Sequence, residues 1–156
     1  MYRLLIVSDS HHDLYNMEML LRETKDGGAD ALIHLGDCAE DGHFLTKKMP
    51  RVPFYGVRGN CDLFSSAEGE RIETFGGVRT LLCHGHAYSV KSGIALLADN
   101  TRQKGCTLAL FGHTHRRLER FENGVFLINP GALRDGFYAW VDITEDGTPY
   151  ATFETL

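Results

Sequence analysis

Short apolar runs and amphipathic segments alternate through the first half of the chain. Three runs are rich in aliphatic residues without strict alternation, which is typical of strands buried on both faces; they cover residues 2–8, 31–35 and 53–57. Between them, the pattern predicts a helix from Leu14 to about Lys25, with Asp13 as its N-cap, and a shorter helix over Gly42–Lys48. The order strand, polar turn, helix favours a parallel sheet with crossover helices.

The second half of the chain contains two hairpin signals and a closing pair of strands. Gly76-Gly77 and Asn123-Gly124 are two-residue turns between strand-like runs. The pattern predicts a helix over Gly93–Gln103, a turn over Asn129–Ala132, and strands over residues 70–75, 78–83, 108–111, 117–122, 125–128, 137–143 and 150–153. We therefore predict an α/β fold in which two mixed β-sheets pack face to face with helices on the outside.

The bulk composition narrows the class of protein. A chain of 156 residues, 43% of them hydrophobic, is expected to form one domain over residues 1–156. The net charge of −5 argues against binding to nucleic-acid polymers or to a membrane surface, which normally needs a basic patch. The first apolar run is too short for a signal peptide or a membrane span. The four cysteines form no Cys-x-x-Cys pair, so we expect reduced thiols in a cytoplasmic protein.

Polar side chains follow five of the predicted strands. Each of these strands ends in a turn that carries carboxylate, amide or imidazole groups: Asp9-Ser10-His11, Gly36-Asp37, Gly59-Asn60, His84 and Gly112-His113-Thr114-His115. The carboxyl ends of strands in open α/β sheets converge on the ligand crevice, so we expect these groups to meet. A helix cap or a turn hydrogen bond explains any one of them, but not all five turns together.

The donor types of these turns suit two metal ions. Two aspartates, one asparagine and four histidines supply seven donors, which is too many for one tetrahedral ion. Oxygen and imidazole donors without thiolate favour Mn, Fe, Zn, Mg or Co in five or six coordination. Two cations about 3.5 to 4 Å apart can hydrolyse a phosphate ester, because they lower the pKa of a bridging water and neutralise phosphoryl charge.

The ordered set of motifs, with Cys61-Asp62 after Asn60 and Gly85-His86 after His84, resembles the calcineurin-like metallophosphoesterase superfamily. The short length and the Gly-Asn-Cys-Asp sequence are similar to the small phosphodiesterases of its YfcE-like group. The resemblance implies a four-layer α/β sandwich and a dinuclear metal centre. Manganese is the favoured ion, and iron, zinc, nickel, cobalt and magnesium are compatible with the same donors.

The resemblance also implies the ligands and the reaction. One ion would be held by Asp9, His11, Asp37 and His115, and the other by Asp37, Asn60, His84 and His113, with Asp37 as the bridge. A hydroxide activated by the two metals would attack phosphorus in line, and the metals would take up the developing charge. The implied function is hydrolysis of small organic or nucleotide phosphodiesters, with Asn60 and the residue after it as catalytic residues.

Two positions depart from the family pattern. Many members have histidine directly after the asparagine, thought to stabilise the transition state or to protonate the leaving oxygen, whereas this chain has Cys61. Because a thiol is a poorer acid and a weaker donor at neutral pH, we predict a diesterase with weak monoesterase activity. The alternative interpretation is that Cys61 is only a small buried residue. Ala132 replaces a serine found in many relatives, which removes one supporting hydrogen bond but not the metal centre.

Several residues next to the motifs have no assigned role. His12 and His86 adjoin ligand turns and are candidates to touch substrate or to support the metal ligands. Arg58 either reaches a phosphate oxygen or, as the favoured interpretation, is solvated or paired within the structure. His34 lies inside a strand and is expected to be a core histidine. Cys38 and Cys83 adjoin two of the candidate ligands, and neighbouring side chains on extended backbone point in opposite directions, so packing roles are predicted for both.

A different class of function is compatible with the same fold. A eukaryotic retromer subunit that shares it works mainly by binding protein partners, so the alternative is an interaction scaffold with little or no activity. The complete set of seven donors favours an enzyme, because a pure scaffold does not need metal ligands. A nuclease acting on polymers is disfavoured by the acidic charge balance. The sequence is compatible with a monomer and with a homo-oligomer.

Overall fold

The computed structural model describes residues 1–156 and contains ten β-strands and three α-helices. The strands are β1 (Tyr2–Val7), β2 (Ala31–His34), β3 (Phe54–Gly56), β4 (Glu70–Phe75), β5 (Val78–Cys83), β6 (Leu108–Leu110), β7 (Arg117–Glu122), β8 (Val125–Pro130), β9 (Phe137–Ile143) and β10 (Pro149–Thr155). The helices are α1 (Leu14–Thr24), α2 (Asp41–Lys48) and α3 (Ala95–Gln103), and short 3-10 turns lie at His86–Tyr88 and Leu133–Asp135. None of the helices has the length and apolar character that crossing a membrane requires.

The strands form two five-stranded sheets with the same design. In the first sheet the order is β10-β9-β1-β2-β3, and in the second it is β4-β5-β6-β8-β7. Each sheet has three parallel strands, β1, β2 and β3 in one and β5, β6 and β8 in the other. The remaining strands pair antiparallel to their neighbours. The predicted pair of mixed sheets is therefore confirmed, and each sheet directs three strand ends toward one edge.

Successive residues of β1 point to opposite faces of the first sheet, as the period of a strand requires. Leu4 and Ile6 pack into the core between the two sheets, whereas Leu5 and Val7 pack against the side chains of α1 and α2. On the outer face of the second sheet, Leu97 of α3 covers the strands. The layers run helix, sheet, sheet, helix, which confirms the four-layer α/β sandwich. Burial on both faces also explains why the strand runs lack strict alternation.

The predicted element boundaries agree with the structure to within a few residues. Asp13 caps α1 as predicted, and its carboxylate accepts a hydrogen bond from the Asn16 N–H at 3.0 Å. The predicted turn over Asn129–Ala132 is wrong for its first two residues, because β8 continues through Pro130 and pairs there with β7. The Asn-Pro pair is a strong local turn signal, but strand pairing with a long neighbour overrides it here.

Candidate metal centre

The carboxyl ends of the parallel strands of both sheets meet at one edge of the molecule. The turn after β1 bonds to the turn after β2, with the Asp9 N–H donating to the Gly36 carbonyl at 2.9 Å. The turn after β6 bonds to the end of β5, with the Gly112 N–H donating to the His84 carbonyl at 3.0 Å. The turn after β6 also bonds to the turn after β1, with the His113 N–H donating to Asp9 Oδ2 at 3.1 Å, and this contact joins the two sheets. The predicted convergence of the polar turns is therefore present.

Two glycines allow these turns to approach each other closely. A Cβ atom at Gly59 would collide with Asp37 Oδ1 and would lie 2.6 Å from the Asp37 nitrogen. A Cβ atom at Gly112 would collide with Ser8 Oγ and would lie 2.8 Å from Asp9 Oδ2. A side chain at either position would push two turns apart, so glycine is required for the close contact and not only for flexibility.

Asp9 is fully buried and directs one carboxylate oxygen toward three histidines. Its Oδ1 atom lies 3.1 Å from His115 Nε2, 3.8 Å from His84 Nε2 and 3.9 Å from His11 Nε2. Its Oδ2 atom is held from the other side by Ser8 Oγ at 2.6 Å and by the His113 N–H at 3.1 Å. The protein thus fixes one oxygen by hydrogen bonds and leaves the other for a cation, a common arrangement around metal ligands.

Asp37 has the same arrangement on the other side of the cluster. Its Oδ1 atom accepts a hydrogen bond from the Cys61 N–H at 3.0 Å, and its Oδ2 atom lies 3.5 Å from His84 Nε2. Burial alone would raise the pKa of Asp37, but the interaction with the His84 ring and the hydrogen bond from the Cys61 backbone outweigh burial and hold that pKa well below its usual value. Asp37 is therefore ionised and available as a ligand.

His84 is buried and has its tautomer fixed by the backbone. Its Nδ1 atom lies 2.8 Å from the Leu35 carbonyl, which can only accept a hydrogen bond, so Nδ1 carries the proton. In the neutral ring the Nε2 lone pair then points into the cluster, where His113 Nδ1 lies 3.2 Å away. Two imidazole nitrogens at this separation suit a shared cation, and the Leu35 carbonyl orients the ring as metal-binding histidines require.

His11 provides a direct test of whether these residues fit a metal ion. Its Nε2 atom is buried without any hydrogen-bond partner, although it lies 3.7 Å from Asp37 Oδ2. Buried polar atoms almost always have a partner, so this nitrogen needs one that the chain itself does not supply. An unpaired imidazole nitrogen facing two carboxylates, with no thiolate in the donor set, fits a divalent cation.

The structure brings six of the predicted residues into one cluster and places the remaining two at its rim. The six connect through contacts of 3.9 Å or less: Asp9, His11, Asp37, His84, His113 and His115. Asn60 and Cys61 are exposed and lie in the turn that packs on Asp37, and the Asn60 amide lies 3.7 Å from Cys61 Sγ. The Asn60 side chain therefore contacts the thiol of the next residue.

Two carboxylates, Asp37 and Asp9, are candidates for the ligand that bridges the two ions. Asp37 Oδ2 lies 3.7 Å from His11 Nε2 and 3.5 Å from His84 Nε2. Asp9 Oδ1 lies 3.9 Å and 3.8 Å from the same two nitrogens. Each carboxylate thus presents one oxygen to histidines of both predicted ion positions, and the geometry is compatible with either as a bridge.

Left-handed backbone is concentrated in the candidate ligands. Five of them have positive φ angles between 48° and 69°: Asp9, His11, Asp37, His113 and His115. Aspartate and histidine tolerate this region better than most residues, but it is still unfavourable and persists only when the surroundings enforce it. Here the sharp turn lets side chains of successive residues reach one centre from the end of a strand.

Sequence reasoning did not identify Asp62, which joins two of the turns. Its Oδ1 atom accepts hydrogen bonds from the N–H groups of Cys38 and Ala39, at 2.8 Å and 3.0 Å. Its Oδ2 atom accepts one from the Gly59 N–H at 2.7 Å. The available signal was its position three residues after Gly59, where a carboxylate commonly bonds back to the backbone of a turn.

Replacing Asp62 with alanine should weaken metal binding about tenfold without unfolding the protein, because the turns that carry Asp37 and Asn60 lose their common anchor. The measurement is calorimetric titration of the metal-free protein with Mn²⁺. The matched control is Asp26→Ala, since the Asp26 side chain is 89% exposed and lies outside the cluster. Equal Mn²⁺ affinity in the two variants would contradict the anchoring role of Asp62.

Two further histidines and two cysteines lie next to the candidate ligands in the sequence or inside the strands that carry them. His34 is a buried core histidine, as predicted, with Nε2 at 2.8 Å from Ser10 Oγ and Nδ1 accepting from the Gly36 N–H. His86 is exposed, and its ring centroid lies 5.5 Å from that of His84. Cys83 is buried in the core, as predicted, whereas Cys38 is only partly buried.

Comparison with known proteins agrees with the geometry. Residues 2–146 match the calcineurin-like phosphoesterase superfamily domain. A probable metallophosphoesterase of Mycoplasma pneumoniae is 33% identical over 141 residues, which cover 85% of this chain and 80% of that protein.

Two solved structures share the fold at low sequence identity. Vps29 of Entamoeba histolytica, crystallised in complex with zinc, is 17% identical with a TM-score of 0.78 over 98% of each chain. A novel archaeal phosphodiesterase is 18% identical with a TM-score of 0.72, over 97% of this chain and 99% of that one. The match over nearly the whole sequence settles the family: this chain belongs to the calcineurin-like phosphoesterase superfamily.

Proposed function

We propose that the protein is a metal-dependent phosphodiesterase that hydrolyses small organic or nucleotide phosphodiesters, acting as a single cytoplasmic domain. The observation that carries the proposal is the buried, unpaired Nε2 of His11, which faces the free carboxylate oxygens of Asp9 and Asp37. Two bound divalent ions, with manganese favoured, would supply an acidified water and neutralise charge on the phosphoryl oxygens. The zinc complex of the related Vps29 fold supports divalent ions in general.

The proposed ligand sets follow the contacts of the cluster. One ion is assigned to Asp9, His11, Asp37 and His115, and the other to Asp37, Asn60, His84 and His113. The contact of 3.1 Å between Asp9 and His115 supports the first set, and the contact of 3.2 Å between His84 and His113 supports the second. The Leu35 carbonyl and the Cys61 N–H hold ligand atoms of the second set in place before any ion binds.

A cleft next to His84 supports a small anionic substrate. It has a volume of about 530 Å³, within the usual range for small-molecule sites, and its walls include Arg58 and His86. Glu70, on the same wall, is already bonded to Tyr88 Oη at 3.0 Å and lies 3.6 Å from Lys104 Nζ. The Arg58 guanidinium has no ion-pair partner within 4.0 Å, so it is available to a phosphate oxygen.

The test is hydrolysis of bis(p-nitrophenyl) phosphate and p-nitrophenyl phosphate, side by side, by protein reconstituted with Mn²⁺. We expect kcat/KM for the diester to exceed that for the monoester by at least about tenfold, because the turn after β3 carries no imidazole to interact with the second negative charge of the monoester. A chelator should abolish both activities, and Mn²⁺ should restore them. A monoester preference would contradict the diesterase proposal, and inactivity with Mn, Fe, Zn, Ni, Co and Mg would contradict an enzyme altogether.

A protein-interaction scaffold is the second candidate, and one surface feature favours it. Leu63 and Phe64, on the loop after β3, are 81% and 98% exposed. Adjacent large apolar side chains exposed to this extent are typical of a surface that binds a partner. The Vps29 fold match is compatible with such a role. The activity assay separates the two candidates, because a scaffold would hydrolyse neither the diester nor the monoester.

A further inference from the structure

A second cluster of metal-binding side chains lies beside the proposed dinuclear centre. It consists of His12, Cys38 and Asp41, and the donor atoms of all three lie within 4.8 Å of one another. His12 follows β1, Cys38 follows β2, and Asp41 begins α2. None of the three belongs to the ligand sets assigned above, so the cluster has no role in the proposed hydrolysis.

The backbone explains why the Cys38 thiol faces this cluster. The prediction of a packing role assumed extended backbone after β2, but Asp37 and Cys38 have φ angles of 56° and 69°. His12 is also left-handed, with φ of 60°. The assumption was therefore wrong, and these unfavourable conformations bring the Cys38 thiol and the His12 ring to the same carboxylate.

Asp41 is held in place by a chain of buried hydrogen bonds. Its side chain is 6% exposed, and its Oδ2 atom accepts from Ser10 Oγ and from the His12 N–H at 2.9 Å. Ser10 Oγ in turn lies 2.8 Å from Nε2 of His34, whose Nδ1 accepts from the Gly36 N–H. Outer partners of this kind orient the carboxylates that bind metals, and they leave Oδ1 of Asp41 directed at His12.

The distances and donor types suit a small divalent cation. Asp41 Oδ1 lies 2.8 Å from His12 Nδ1, within hydrogen-bond distance, and two ligand atoms about 2.0 to 2.1 Å from one tetrahedral ion lie about 3.3 Å apart, so the pair has to open by only about 0.5 Å to hold a cation. The Cys38 thiol faces acidic groups, and burial, followed by the carboxylates of Asp41 and Asp62, raises its pKa to about 11. A bound cation reverses that effect, because a coordinating thiol loses its proton.

We propose that His12, Cys38 and Asp41 form a third metal site, which takes a borderline-soft divalent cation such as Zn²⁺ or Co²⁺ in preference to Mn²⁺ or Mg²⁺. One thiolate, one imidazole and one carboxylate leave a fourth tetrahedral position for water. On binding, the Cys38 proton passes to solvent, and the neutral His12 ring carries its proton on Nε2, so that Nδ1 is the ligand. The bound ion joins the turn that carries His11 to the turn that carries Asp37. The site does not depend on phosphodiesterase activity.

The test is titration of the metal-free protein with Co²⁺, followed by absorption in the near ultraviolet. Only a thiolate ligand gives a sulfur-to-cobalt charge-transfer band, and the dinuclear ligand sets contain no cysteine. The wild-type protein should show the band, and Cys38→Ser should lose it and bind one ion fewer per chain by elemental analysis. Cys61→Ser, which removes the neighbouring exposed thiol, should keep the band.

A second variant keeps the test decisive if Cys38→Ser does not fold. The His12 side chain is 65% exposed, so His12→Ala should fold normally and should weaken the Co²⁺ affinity measured from the band by at least about tenfold. Absence of the band in the wild type, its persistence in Cys38→Ser, or its loss in Cys61→Ser would overturn the assignment. Unchanged affinity in His12→Ala would do the same. Diester turnover of the wild-type protein with Mn²⁺ is measured separately, so failure of this proposal and failure of the phosphodiesterase proposal are distinguishable.

Discussion

Replacing Asp37 with alanine should lower kcat for diester hydrolysis by at least about 10³-fold while leaving the chain folded. The Oδ2 atom of Asp37 lies between Nε2 of His11 and Nε2 of His84, so its loss removes a donor from both proposed ion positions. Only the Asp9 carboxylate would then remain in the cluster to balance the charge of two cations. The measurement is steady-state hydrolysis of the diester with saturating Mn²⁺, together with the number of ions bound per chain.

Asp9→Ala serves as the comparison that identifies the bridge. If Asp37 bridges, Asp37→Ala should lose both ions, whereas Asp9→Ala should keep the ion assigned to Asn60, His84 and His113. If Asp9 bridges, the two variants should exchange these results. Activity that survives Asp37→Ala at the wild-type rate would refute the bridging assignment. Asp26→Ala, on an exposed side chain, controls for the loss of a carboxylate as such.

The sequence was sufficient for the fold because its signals are local and agree with one another. The run Leu4–Val7 is apolar at every position, which only a strand covered on both faces requires, and the structure covers it with α1 and α2 on one side and the second sheet on the other. The Asn123-Gly124 turn fixed the β7–β8 hairpin in the same way. The strand ends, and hence the donors, follow from these elements.

The contacts that support the metal ligands could not be predicted from the sequence. Asp62 and Asp41 are ordinary acidic residues in the sequence, and their roles depend on backbone groups 20 to 30 residues away that fold against them. The Leu35 carbonyl that orients His84 leaves no signal at all in a sequence, because every residue has a carbonyl group. The left-handed backbone of Cys38 likewise depends on tertiary contacts, and the assumption of extended backbone placed its side chain incorrectly.

Replacing Cys61 with histidine should raise kcat/KM for a phosphate monoester by about 100-fold, the lower range for a positioned general acid. The monoester for this test is an alkyl phosphate, whose alkoxide is a poor leaving group that needs a proton, and Cys61 is a weak source of one. Partial desolvation by neighbouring atoms and the nearby Asp37 carboxylate raise the pKa of the Cys61 thiol, so it donates poorly at neutral pH. The Cys61 N–H that bonds to Asp37 is part of the backbone, so the substitution keeps that contact.

The comparison that isolates the acid is Cys61→Ser, which replaces the thiol without adding a group that titrates near neutral pH. Its monoester activity should stay at the wild-type level, while both variants should hydrolyse the diester within about tenfold of the wild type, since that leaving group departs without a proton. The position is exposed, so a larger ring can be accommodated without displacing the core. Unchanged monoester turnover in Cys61→His would mean that Cys61 does not set the preference, and the selectivity would then have to reside in the cleft beside Arg58 and His86.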